Sequence, residues 1–361
     1  MFSPKECPSS FPGKIDEIPG ICVDNFEKAA RAYFLSHYHE DHIVGIDADL
    51  LRIVLKKAKA KIYASKVTAI ILRVKHLGLN QYVEGLETGP TSITLPATEE
   101  LPENSLTVTL IPADHCTGST MFLFTTAEKK NILFTGDFRI DCDGLPECTP
   151  LHENGAPIKL DTLYIDTTFI APDYEHLPKR SESVRVSIAK IREWLDLDSN
   201  NEVAICTPAK YSYDILFDEI YEQLGCKVFV SRNRWNVYRE IQDIVKGVTN
   251  CKTETRIHLC NVMKDEQDKE NLELISHNIC GIGDDEKKYL YVNLTAMKWR
   301  NSDSWVSSDN DGILSVCFAT HCSRREIYNF VDHLSSDRIV GFPNKFITRT
   351  SAGPSMLMTE N

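Results

Sequence analysis

The sequence predicts an α/β protein built of two units, one spliced into the other, and three changes of texture along its 361 residues predict it. Up to residue 170, short β-rich runs alternate with turns, at 32–36, 106–111, 121–125, 132–135 and 162–166, several of them apolar on both faces. From about Pro172 a regular strand-then-helix alternation takes over, the pattern of a parallel sheet with covering helices. At residue 313 a strongly apolar strand returns, and the tail after it reads as rejoining the first unit. The expected division is therefore 1–170 for the first part of the host unit, 171–312 for the inserted α/β unit and 313–361 for the closing part of the host.

Each element of the insert rests on periodicity. Pro178 and Ser181 introduce a helix whose apolar Val184, Ile188, Ile191 and Leu195 recur at helical spacing. A strand at 202–206 leads into a helix with Tyr213, Phe217, Ile220 and Leu224 on one face. A strand at 226–230 precedes a helix marked by Val237, Ile241, Ile244 and Val248, and 256–260 and 288–294 are further strands. After the strand at 313–320, Ile327, Val331 and Leu334 mark a helix and 338–340 a last strand.

Bulk composition narrows the class. With 42% hydrophobic residues the chain can bury a sizeable core, and its longest apolar runs fall far below the roughly 20 residues that span a bilayer. A soluble, unsecreted monomer is expected. Twelve cysteines, scattered singly without a CxxC pair, read as reduced thiols of a cytosolic or nuclear protein. A net charge of −12 argues against holding nucleic acid by bulk charge, unless bound cations offset local carboxylates and basic residues segregate, as at 56–61 and 232–239.

The chemistry concentrates at strand ends. Directly after the run at 32–35 comes SHYHEDH, residues 36–42, in which His37, His39, Asp41 and His42 crowd imidazoles and a carboxylate into one turn. Neutral imidazoles and carboxylates converging on a point are the donors that Zn²⁺ or a pair of divalent ions requires. One loop cannot complete such a site, and further donors stand at successive strand ends: His115, Asp137, Asp166 and His321. Each alone would be an ordinary cap or a satisfied core group. Together, in chain order, they predict a metal centre.

These motifs resemble the metallo-β-lactamase fold, an αββα sandwich: HxHxDH at 37–42, His115 as third histidine and Asp137 in TGDFR. IDTTF at 165–169, an inserted α/β unit and then His321 are similar to the nucleic-acid-processing β-CASP branch. Asp24 in ICVDNF, the block ARAYFLSHYHEDH at 30–42 and APDY at 171–174 narrow the likeness to the DNA cross-link repair nucleases, over almost the whole chain.

The resemblance implies one or two Zn²⁺ ions, with Mg²⁺ or Mn²⁺ able to serve as the second. By it, His37, His39, His115 and Asp137 hold the first ion, Asp41, His42 and Asp137 the second, with His321 nearby, and Asp24 and Asp166 orient the rings. It implies phosphodiester hydrolysis of DNA, as a structure-selective endonuclease at hairpins, overhangs and single-to-double-strand junctions with 5′-3′ exonuclease activity, in nuclear double-strand break repair by non-homologous end joining. Asp41 would manage the proton of the attacking water and His321 would bind phosphate or protonate the departing oxygen. Implied partners are DNA and end-joining proteins, a DNA-dependent protein kinase and a DNA ligase complex, reached through a tail that the sequence to Asn361 does not include. An RNA-processing β-CASP nuclease and a catalytically silent scaffold are the alternatives; IDTTF favours DNA, and the full donor set disfavours the scaffold.

Two departures from the family pattern stand out. A structural zinc held by two histidines and two cysteines is implied in the insert, where His258, Cys260 and Cys280 match three positions and Phe229, which cannot ligate, stands at the fourth. Around the last histidine, where the family usually carries serines, this chain has Ala319, Thr320, Cys322 and Ser323, leaving Thr320, Ser323, Arg324 and Arg325 as candidate phosphate contacts and leaning towards endonucleolytic cutting.

Overall fold

Two sheets face one another in the host unit. The computed structural model describes residues 9–140, 142–260, 288–302, 304–309 and 312–348. One sheet is wholly parallel, with Ile21–Val23, Ala32–Leu35, Ile62–Ser65 and Val83–Leu86 side by side in that order. Its strand Ala32–Leu35 is buried along its whole length, which is why it reads as an unbroken apolar run. The second sheet has six strands in the order Ser336–Phe342, Leu160–Asp166, Asn131–Phe134, Thr120–Thr126, Asn104–Pro112 and Gly89–Leu95. Its first three are parallel and the rest antiparallel.

Aromatic rings fill the space between the sheets. Phe34 and Tyr63 from one meet Phe122, Phe124, Phe134 and Tyr164 from the other, with Phe34 edge-on to Phe122 and Phe124 at 5.5 and 5.0 Å. Truncating a ring packed this fully to alanine costs about 3–5 kcal/mol. Outside the parallel sheet lie the helices Asp49–Lys57 and Lys66–Lys75, through Leu51, Leu55, Ala69 and Leu72. Outside the mixed sheet lies Arg324–Leu334, through Ile327, Phe330 and Leu334. The layers are αββα, as expected.

The inserted unit is a seven-stranded sheet in the order Val248–Thr249, Val228–Phe229, Ile257–Cys260, Asn201–Cys206, Lys288–Leu294, Ile313–Val316 and Val306–Ser308. All its neighbours are parallel except the last pair. Helices Arg180–Leu197 and Asp214–Leu224 bury the predicted apolar faces against it. The helix Lys66–Lys75 of the host turns its other side, Val67, Ile70, Ile71 and Val74, into this same core, so one helix seams the two units together.

Two expectations need correction. The strand Ile313–Val316 pairs with Lys288–Leu294, so it belongs to the inserted sheet and the chain crosses back to the host only after Val316. An apolar run buried on both faces fits either sheet, and periodicity alone does not choose between them. The helix expected through Val248 ends early: Arg232–Tyr238 is helical, a 3₁₀ turn follows at Arg239–Ile241, and Val248–Thr249 is a strand. Gly247 makes the turn, where a Cβ would stand 2.0 Å from the Phe217 carbonyl oxygen, and Asp218 accepts from the backbone N–H groups of Lys246 and Gly247 at 2.8 and 2.6 Å.

Candidate metal centre

The strand directions bring the predicted donors to one edge. Asn104–Pro112, Asn131–Phe134 and Leu160–Asp166 all run the same way, so His115, Asp137 and Asp166 emerge together. The loop after Ala32–Leu35 delivers His37, His39, Asp41 and His42 opposite them. His321 arrives from the other unit, just after Ile313–Val316. Gly136 permits the close approach: its φ is +54° and a Cβ there would lie 2.7 Å from the Ser36 side chain.

Ligand atoms of His37, His39, His115 and Asp137 lie within 4.8 Å of one another, as do those of Asp41, His42 and Asp137 and those of Asp137, Asp166 and His321. His39 Nδ1 is 2.9 Å from His37 Nε2 and 3.0 Å from His115 Nε2, while Asp137 Oδ2 is 3.6 Å from the Nε2 of both His37 and His115. Tetrahedral zinc with bonds of about 2.0–2.1 Å sets its donors roughly 3.3 Å apart, and these spacings bracket that value. On the other side, Asp137 Oδ2 is 3.2 Å from His42 Nε2, which is 3.4 Å from Asp41 Oδ2. One Asp137 oxygen thus faces both donor groups.

The outward nitrogens fix which atoms point inward. Asp24 Oδ2 accepts the Ser36 hydroxyl at 2.6 Å, so Ser36 Oγ accepts from His37 Nδ1 at 2.9 Å and His37 Nε2 is left as a lone pair. His115 Nδ1 donates to the Thr320 carbonyl at 2.9 Å, and His39 Nε2 to the Lys210 carbonyl at 2.8 Å. His42 Nδ1 donates to Asp24 at 2.8 Å and His321 Nδ1 to Asp166 at 2.8 Å. Three imidazole lone pairs and a carboxylate therefore converge, 2.9 to 3.6 Å apart, with no proton among them. That arrangement is repulsive without a cation and is the donor set that a divalent ion takes.

Electrostatics follow the geometry. Burial and the neighbouring imidazoles push His37 well below the usual histidine value, burial does the same to His115, and burial lowers His39 to about 4. For His321 burial is outweighed by Asp166 and Asp137, which lift it to about 9, and for His42 by Asp137 and Asp24, which hold it well above its ordinary value. Burial likewise opposes ionisation of Asp137, but His42 and His321 keep its carboxyl well below the carboxylate range. Asp41, its side chain 36% exposed, opens the centre to solvent.

Asp24 and Asp166 accept from the His42 and His321 rings. Asp24 is fully buried at φ +51° and also accepts the Ser36 N–H at 2.7 Å; Asp166 Oδ1 accepts the N–H and hydroxyl of Thr168 at 2.8 and 2.6 Å. Of the candidate phosphate contacts, three are engaged within the fold. The Ser323 hydroxyl caps the helix Arg324–Leu334 in a capping box with Glu326, Arg324 pairs with Glu175 at 2.5 Å and lies over the Tyr328 ring, and Thr320 lends its carbonyl to His115. Arg325 is exposed. Local reading missed Ser10, whose hydroxyl is 3.1 Å from His42 Nε2, and the Lys210 and Ser212 contacts to His39. Ser36 could have been found, since it opens the SHYHEDH motif itself.

In the insert, His258 and Cys260 are buried on one strand, beside Phe229 and Cys206 in register. Cys280 lies outside the described residues. Among the described residues, every group of three or more donors within ligand reach belongs to the His37–His321 centre.

The family described as DNA repair metallo-beta-lactamase matches residues 242–344, a span that includes His258, Cys260 and His321. Over 353 residues the chain is 31% identical to Protein artemis of Gallus gallus, covering 93% of this chain and 48% of that protein. It is 30% identical to Protein artemis of Homo sapiens, covering 93% and 49%. The DNA cross-link repair 1A protein of Mus musculus is 26% identical over 337 residues, 89% of this chain and 30% of that protein. The chain spans about half the length of the Artemis proteins it matches. With its αββα host, its inserted α/β unit and these relatives, the chain belongs to the metallo-β-lactamase/β-CASP family of DNA repair proteins, near Artemis.

Proposed function

We propose that the chain is a metal-dependent DNA nuclease that hydrolyses phosphodiesters as a structure-selective endonuclease at hairpins, overhangs and single-to-double-strand junctions, with 5′-3′ exonuclease activity, in nuclear end-joining repair. One observation carries this reading: the three inward lone pairs of His37, His39 and His115 meet the Asp137 carboxylate, and Asp41 and His42 flank it. A divalent ion, Zn²⁺ with Mg²⁺ or Mn²⁺ as an alternative second ion, would supply there a Lewis acid for the phosphoryl oxygens and a water of lowered pKa.

The side chains divide the remaining work. Asp137 balances charge between both donor groups, and Asp24 and Asp166 hold the His42 and His321 rings so that Nε2 faces inward. Asp41, the exposed carboxylate, takes the proton of the attacking water. His321, kept protonated by Asp166 and Asp137, offers Nε2–H to a phosphoryl or departing oxygen. A polyanionic substrate is favoured by positive charge at the joint of the two units, where burial and the charges of Lys210 and Arg234 depress the Lys75 ammonium and Lys75 donates to the Asn233 carbonyl, despite the net charge of −12. Any end-joining partners, and a zinc at His258 and Cys260, belong to the same reading.

Purified protein with Mg²⁺, Mn²⁺ or Zn²⁺ should nick a labelled DNA hairpin and trim an overhang, and Asp41→Ala, His115→Ala and Asp137→Ala should abolish both. Full activity in these variants would remove the site assignment. Faster cleavage of matched RNA would turn the reading to RNA processing, and metal binding without hydrolysis of either would turn it to a scaffold.

A further inference from the structure

His39 differs from its neighbours in which nitrogen it turns inward. His37 and His115 present Nε2; the outward Nδ1 of His37 bonds to Ser36 of the host, and that of His115 to the Thr320 carbonyl on the segment that crosses back from the insert. His39 presents Nδ1, so its outward Nε2–H needs an acceptor, and that acceptor comes from the inserted unit: the Lys210 carbonyl at 2.8 Å, with the Ser212 hydroxyl also at 2.8 Å. A carbonyl can only accept, so it requires a proton on Nε2 and leaves Nδ1 as the lone pair.

The loop that brings these groups is built to hold position. Tyr211, between them, stands at φ +61°, a left-handed conformation that costs a bulky residue about 1 kcal/mol or more and persists only where packing imposes it. Its buried ring lies 5.6 Å from that of Tyr238 and 6.4 Å from that of Tyr38, the residue before His39. Its carbonyl accepts the Thr117 N–H at 3.2 Å, in the loop that carries His115, and Lys210 Nζ pairs with Glu40 at 2.9 Å, the residue after His39. One strained loop of the insert thus touches both histidine loops of the host.

We propose that Ser212 and the Lys210 carbonyl are positioning groups for His39, so that the donor set is complete only when the inserted unit is seated on the host. The proposal rests on the reading of His37, His39, His115 and Asp137 as metal ligands. Seating the insert then sets metal affinity.

The test uses the full chain, Co²⁺ as probe and ¹⁵N-labelled histidine. In wild type, His39 should be the Nε2–H tautomer and Co²⁺ should give visible d–d bands. Ser212→Ala should weaken Co²⁺ binding about tenfold and shift those bands, Ser212→Thr should restore both, and the melting temperature of the metal-free protein should not move. Tyr211→Gly, which permits the same φ but removes the wedge, should weaken binding further, towards a hundredfold. Absence of Co²⁺ bands in wild type would bring down the metal centre itself. Bands in wild type with both variants binding within twofold would overturn the positioning role alone, as would losses in Ser212→Ala that follow a lowered metal-free melting temperature and that threonine does not restore.

Discussion

Asp24→Asn isolates one carboxylate of the centre with almost no steric change. Asparagine occupies the left-handed region as readily as aspartate, so the φ of +51° adds no new strain. What changes is acceptor capacity: Asp24 receives the Ser36 N–H at 2.7 Å on Oδ1, and the Ser36 hydroxyl at 2.6 Å and His42 Nδ1–H at 2.8 Å on Oδ2. An amide that keeps its oxygen on the Ser36 N–H turns its NH₂ towards the other two. Ser36 can rotate its hydroxyl to accept. His42 can relieve the clash only by moving its proton to Nε2, which aims an N–H at Asp137 and Asp41 where a lone pair belongs. Exchanging charge-assisted bonds for one compromised neutral contact in a fully buried site should lower stability by about 1–3 kcal/mol, and the wrong tautomer should weaken binding of the second ion by about 10- to 100-fold. Urea unfolding with chelator gives the first quantity and competitive Mn²⁺ titration the second. Wild-type affinity within twofold, with His42 still carrying its proton on Nδ1, would refute the reasoning.

Gly136→Ala should cost activity out of proportion to its size, because a methyl at φ +54° meets Ser36 at 2.7 Å and displaces the support of His37; an unchanged turnover on hairpin DNA would contradict this close approach. Arg139→Met should destabilise by about 3–5 kcal/mol in urea, because it removes the cationic partner of Glu326 at 3.2 Å, leaving that carboxylate only the Ser323 N–H, and frees the Ala319 and Pro178 carbonyls that Arg139 now binds. Metal-free protein should be most stable near pH 6.5. His321, raised to about 9, contributes stability that is full below its unfolded value of about 6.5 and is lost as pH rises through 9; His39, lowered to about 4, loses its share as pH falls from 6.5 towards 4. Chelated samples unfolded in urea at pH 5, 6.5 and 9 check both slopes, and a monotonic profile would contradict them.

What could be read from the sequence divides along a physical line. The donors were legible because metal chemistry demands particular atoms, and His37, His39 and His42 crowd into one motif while His115, Asp137 and Asp166 each follow an apolar strand that periodicity reveals. The αββα order followed from the motif resemblance and from strands buried on both faces. Sheet membership was not legible for Ile313–Val316, since burial on both faces looks alike in either sheet. Nor was the fate of hydroxyls and guanidiniums: Ser323 and Arg324 look available in sequence, and a helix cap and Glu175 claim them in three dimensions. The Lys210 and Ser212 contacts to His39 join residues with sequence separations of 171 and 173, which no local pattern encodes.

The placement of His321 explains why the two units work as one site. Its strand, Ile313–Val316, is fixed in the inserted sheet, whereas the helix that follows it, Arg324–Leu334, is packed on the host sheet. Between them the chain is tied at three points: Thr320 carbonyl to His115, Ala319 carbonyl to Arg139 of the TGDFR motif, and Cys322 N–H to the Phe138 carbonyl at 3.0 Å. The crossing segment is thereby bonded to the two host loops that carry His115 and Asp137. A shift of the inserted unit would pull on His321 from one side and, through Lys210, on His39 from the other. Each of those rings shares a group of ligand atoms with Asp137, so the position of the insert bears on the centre from two sides at once.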